Sequence, residues 1–242
     1  MAQLALHGWI GSWLAARRYP GPRRPGSPEA AYKTAVVWGS LAPDADLALE
    51  LPLYPFNPRV ATSLHRSWSH SWLLQPLWAL LLERLAAGRE EAPPAPEVRR
   101  QRYGALLAGM GVHSATDIAV WFSPVALLWP LRLFGVPDQV DLWEPVRGRL
   151  PVSLGNLLGA LEHGSWAAWL AWLAARAEPG RARRQAGLAA GLSFAAFAAM
   201  ALLAGRMSRQ RFDVVNYGVV MPALLPWQLR ALKGLRRVLE SL

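Results

Sequence analysis

Residues 186–205 read AGLAAGLSFAAFAAMALLAG, a run of about 20 residues without a charge. A helix rises 1.5 Å per residue, so this length matches the roughly 30 Å hydrocarbon core of a bilayer, and the stretch is read as a transmembrane helix. Three further apolar stretches flank it on the N-terminal side. Leu154 to Ala175 is interrupted by Glu162 and His163, Gly104 to Phe134 carries His113 and Asp117, and Ser71 to Ala87 contains Pro76 and Glu83. Each of these equally suits a buried helix of a compact protein, so the expectation is a range of three to five transmembrane or membrane-embedded helices. The fold class predicted is all-α, an integral membrane helical bundle. A single domain spans 1–242, with its chemistry in 1–130 and a helical C-terminal portion in 131–242.

Composition agrees with a membrane solvent. The 242 residues are 53% hydrophobic and 17% charged, with 13 Trp, which is too apolar for an ordinary soluble domain of this length. The net charge of +10 is mostly arginine, grouped at 17–18, 23–24, 99–102, 181–184, 206–211 and 236–237. Such an excess can serve nucleic acid, but these clusters sit at the ends of apolar segments, where anionic headgroups favour arginine, so no nucleic-acid partner is expected. Both flanks of the 186–205 run are basic, so charge bias leaves its orientation open. With no cysteine, disulfides and thiolate sites are excluded, and any metal must be held by nitrogen and oxygen. The N-terminus does not read as a signal peptide, because Arg17 and Arg18 follow the apolar stretch and His7 lies inside it.

Local signals give a helix over Met1 to Ala16, a Pro/Gly/Arg loop over Arg17 to Pro28, and a short helix or strand over Ala30 to Ser40. A turn follows at Leu41 to Asp46, a proline-rich loop at Leu51 to Pro58, a linker at Gly88 to Val98 and an irregular stretch at Gly135 to Pro151.

Four of the five histidines fall in a pattern with carboxylates: His7, then Asp44 and Asp46 after Pro43, then His65 and His70, then His113 and Asp117. His113 and Asp117 are four apart in a helical segment, so they project from one face as two ligands of one ion must. Asp44 and Asp46 converge only if Pro43 opens a loop, and His65 and His70 only if the chain turns between them. Ser69 is a candidate N-cap that would place His70 in a first helical turn. Burying Asp117 in an apolar helix costs at least a few kcal/mol unless a cation neutralises it, and neutral imidazoles complete a metal shell without adding charge. Three aspartates and up to four histidines exceed one tetrahedral shell, which favours two metals or hydrogen-bonded supporting residues. His163 stands apart beside Glu162, as a packing or interfacial residue, a further ligand or a proton shuttle.

In this order the pieces resemble the bacterial and archaeal inner-membrane proteins described as membrane-bound metal-dependent hydrolases, the YdjM-like group. The likeness rests on His7; Pro43, Asp44 and Asp46; His65, Arg66, Ser69, His70 and Ser71; and His113 and Asp117, over roughly residues 1 to 130. Ser67 and Trp68 depart from it, where a smaller residue and a glycine are expected. The resemblance implies a multi-pass inner-membrane hydrolase without naming its substrate. A looser likeness to zinc-dependent phospholipase C implies one or two divalent ions, zinc first and Mn²⁺ or Mg²⁺ as alternatives, attacking a phosphoester through an activated water. On that basis Asp44 bridges, Asp46, His65, His113 and Asp117 complete the shell, and His7 and His70 are ligands or support them. Arg66 either binds a phosphate oxygen or is an interfacial arginine, and Ser69 caps or hydrogen-bonds a ligand. Membrane lipids and a lipid-borne phosphoester are the expected partners. The rivals are a non-catalytic membrane protein that transports or senses divalent metal, and a structural protein whose His/Asp cluster is a hydrogen-bonded network.

Overall fold

A computed structural model describes residues 4–24, 26–47, 51–53, 56–57, 60, 67–90, 92–120, 124–147 and 149–242. The chain is mostly helical. Helices α1 (Leu4–Arg18), α2 (Pro28–Leu41), α3 (Gln75–Ala87), α4 (Pro96–Val120), α5 (Glu144–Arg147), α6 (Val152–Arg176), α7 (Arg181–Ala204), α8 (Arg209–Val215), α9 (Met221–Gly234) and α10 (Arg236–Ser241) are joined by short 3-10 and π turns. Strands β1 (Val125–Ala126) and β2 (Gln139–Val140) add one antiparallel ladder in which Val125 faces Val140. Two compact units emerge. Unit A draws on Met1–Leu6, Asp46–His65 and Trp143–Val238, and unit B on His7–Ala45, Arg66–Leu142 and Leu239–Leu242, so both are interleaved along the sequence.

Among the described residues one helix, α7, is long and apolar enough to cross a membrane, and only 28% of its most apolar stretch is buried. Leu188, Leu192, Phe194 and Leu202 point outward from it, as a lipid-facing surface requires and a soluble core helix does not. The expected range of three to five spans therefore has one member that meets length and composition. The third apolar stretch ends earlier than expected, at Val120 rather than Phe134. Within the stretch read as helix, Val125–Ala126 forms β1. Ala30 to Ser40 proves helical, begun by Ser27, whose hydroxyl accepts the Ala30 amide at 3.2 Å. Ser69 caps no helix: α3 begins at Gln75 with Pro76 in its first turn, where a missing amide costs nothing.

Unit A packs α6 on α7. Ala160, Met200, Ala204 and Phe212 form its core, and Gly164 gives room to the Phe197 ring. The Asn156 amide donates to Ala204 O at 3.0 Å and Met207 O at 3.1 Å, satisfying carbonyls that the end of α7 leaves open. Glu162 Oε1 accepts from the Ala5 amide at 3.4 Å, and His163 Nε2 lies 2.9 Å from Asn216 Oδ1 on the π turn Asn216–Val220. His163 thus belongs to a packing network of unit A.

Unit B is organised by the crossing of α2 and α4. A side chain at Gly39 would meet Leu106 O at 2.5 Å, and one at Gly109 would meet Val36 O and also Ser40 N at 2.6 Å. Backbone therefore lies on backbone, the small-residue contact common between membrane helices. Gly111, two residues on, faces open space. Gly109→Ala is expected to destabilise the protein by about 1–3 kcal/mol through overpacking, while Gly111→Ala is neutral or stabilises it by up to ~1 kcal/mol. Thermal unfolding of both variants in detergent measures the difference, and equal stabilities would contradict the close crossing.

Candidate metal centre

The glycine crossing sets the first donor. His113 sits one turn beyond Gly109 on α4, and its Nδ1 lies 2.7 Å from Ser40 O, in the last turn of α2. A carbonyl only accepts, so Nδ1 carries the hydrogen and Nε2 presents a lone pair. Asp117, four residues on along α4, shares that face. Asp44 comes from the 3-10 turn Ala42–Asp46 that follows α2 directly, a tighter structure than the loop expected at Pro43.

His70 is brought in by a turn fastened on three sides. Ser71 donates to Trp129 O at 2.5 Å, the Trp72 amide to Leu127 O at 2.8 Å, and Gln75 Nε2 to Ser114 Oγ at 2.8 Å. Trp68, where the family resemblance leads one to expect a glycine, packs against Trp78 with ring centres 4.9 Å apart and planes tilted by 52°. Ser69 Oγ lies 2.9 Å from His70 Nδ1, so the serine orients the imidazole. Gln75, Ser114 and the Ser40 carbonyl hold the site without belonging to any motif, and the polarity of Gln75 in an apolar helix is their one sequence signal.

The result is a group of Asp44, His70, His113 and Asp117, each offering one donor atom within 4.8 Å of the others, and all buried. Their donor separations are informative. His70 Nε2 is 3.0 Å from His113 Nε2, 3.4 Å from Asp44 Oδ1 and 3.2 Å from Asp117 Oδ2. His113 Nε2 is 3.5 Å from Asp44 Oδ1 and 3.7 Å from Asp117 Oδ2. A tetrahedron with zinc–ligand bonds of about 2.0–2.1 Å has edges of about 3.3 Å, so these five separations fit one ion. The donor set can hold a metal ion.

His7, on α1, is also here: its Nε2 lies 3.1 Å from Asp117 Oδ1 and its ring centre 3.6 Å from that of His113. Asp46 is buried at the end of the 3-10 turn and stands outside the four-residue group. His65 and Arg66 lie outside the described residues.

A proton can do part of an ion's work here. Burial opposes charge on His70, but hydrogen bonds to Asp117 and Asp44 more than offset it and raise its pKa to about 9. A divalent ion must displace that proton. Binding of Zn²⁺ at pH 7.5 is thus expected to release about one proton from His70, and apparent affinity to rise about tenfold per pH unit up to about pH 9. Titration calorimetry in buffers of different ionisation enthalpy checks both, and affinity independent of pH over that range would contradict the arrangement.

No curated protein and no solved structure matches the chain. The family model of the YdjM inner membrane protein does, over residues 5–204, well past the portion in which the resemblance is legible from motifs. With that match covering most of its length, the chain belongs to the YdjM inner membrane protein family.

Proposed function

We propose that this protein is a membrane-bound metal-dependent hydrolase, with zinc as its first candidate ion, acting on a phosphoester of a lipid or lipid-linked substrate. The observation that carries the reading is the convergence of two imidazole nitrogens and two carboxylate oxygens at separations of 3.0 to 3.7 Å. Asp44, His70, His113 and Asp117 would hold the ion. When bound, a divalent ion supplies a water acidic enough to react near neutral pH and a positive charge for phosphoryl oxygens. Ser40 O and Ser69 hold the rings of His113 and His70 in position. Arg66, four residues before His70 in the sequence, is assigned the binding of a phosphoryl oxygen. Asp46 and His65 are further ligand candidates on the sequence pattern alone.

Two features support a lipid-borne substrate. Family membership places the chain at the inner membrane. Helix α3 turns Leu77, Leu80, Leu81 and Leu85 outward while its one acid, Glu83, is buried and bonded to Arg99 at 2.9 and 3.1 Å. That is the reverse of a soluble helix and suits a short element embedded in lipid. A transporter would spread donors along a path, whereas these lie within 4.8 Å of one another.

Purified protein is expected to contain Zn²⁺ or another divalent ion and to hydrolyse phosphate mono- or diesters. Asp117→Asn and His113→Ala should lower the rate by at least about a hundredfold with loss of metal, by analogy with removal of essential electrostatic groups, and Arg66→Ala should mainly raise KM. Elemental analysis with an ester assay decides it: metal without hydrolysis favours the sensing or transport reading, and no metal favours a hydrogen-bonded network.

A further inference from the structure

The carboxylates of the site face two ways. Asp117 directs Oδ2 to His70 Nε2 at 3.2 Å and His113 Nε2 at 3.7 Å, and Oδ1 to His7 Nε2 at 3.1 Å. Asp44 repeats the division, with Oδ1 3.4 Å from His70 and 3.5 Å from His113, and Oδ2 4.0 Å from His7. One oxygen of each acid serves the His70/His113 pair, and the other turns to His7. That division is how a carboxylate bridges two ions.

We propose that His7 Nε2, Asp117 Oδ1 and Asp44 Oδ2 form a second metal position beside the first, with both aspartates as bridges. This rests on the metal-site function proposed for the protein and adds to it. His7 has the placement of a ligand. It is 1% exposed, its Nε2 faces both acids, and its ring lies against that of His113 at 3.6 Å with a 30° tilt. The two positions also differ in kind. The first has four protein donors, so a water there would join them as a fifth ligand. The second has three protein donors, which leaves a place for water or a phosphoryl oxygen, the pattern of catalytic sites. The ion held by His7 would offer the more open place, and the ion between His70 and His113 would act with it on the same phosphoester.

The test is metal stoichiometry of the full chain in detergent after equilibration with Zn²⁺ and removal of excess. Wild type is expected to hold two equivalents. His7→Phe, which keeps a ring against His113 but removes both nitrogens, and His7→Ala should each hold one. With Mn²⁺, wild type should give the spin-coupled resonance of a close pair, and both variants the signal of an isolated ion. One equivalent in wild type and variants alike would overturn the second position and leave the first intact. Two equivalents in folded variants would also overturn it, as would loss of both ions, which would make His7 a support of the first position. No metal in wild type would overturn this proposal together with the function on which it rests.

Discussion

Two carboxylates, Asp44 and Asp117, are withdrawn from solvent to 1% and 2% exposure in a chain that is 53% hydrophobic. An ionised acid in that position costs several kcal/mol unless positive charge or several donors answer it. Three buried imidazoles, those of His7, His70 and His113, are grouped around the pair. Much of unit B can be understood as the means of bringing them there. The acids come from different elements, so neutralising them requires α1, α2, α4 and the turn before α3 to be placed together.

That placement depends on contacts with little tolerance. Where α2 meets α4, Gly39 and Gly109 let backbone touch backbone, and the same approach brings Ser40 O within 2.7 Å of His113. Gly11 brings α1 against the Ser40 side chain and the Val37 backbone. The His70 turn is tied to the Leu127–Trp129 segment and through Gln75 to Ser114, on the helix that carries His113 and Asp117. Helix packing and ligand geometry are therefore set by the same few atoms.

Part of this is legible in the sequence. The uncharged run at 186–205 identifies α7, because length and apolarity alone decide whether a helix can cross a bilayer. The spacing of His113 and Asp117 gives their common face, since helical period is a local property. That Asp44 and His70 join them is only suggested by residue type, because convergence of distant segments depends on the glycine crossing and on main-chain partners such as Ser40 O, which carry no motif. The start of α3 and the end of α4 escape the apolar pattern for a different reason. Pro76 favours a first turn through the amide it lacks, and β1 at Val125–Ala126 interrupts a hydrophobic run that continues across it. His163 stands outside the His/Asp pattern, and its bond to Asn216 depends on a π turn that periodicity does not foresee.

Burial of the donors has a kinetic side. An ion held by donors exposed by 0 to 2% would leave only when neighbouring helices part, so its exchange with the surroundings would be slow on the scale of ordinary metal turnover. Occupancy would then record which ion was abundant while the chain was folding, rather than which binds best at equilibrium, where copper outcompetes zinc for nitrogen and oxygen donors. Metal identity at such a site would be a matter of the compartment and moment of synthesis as much as of coordination chemistry.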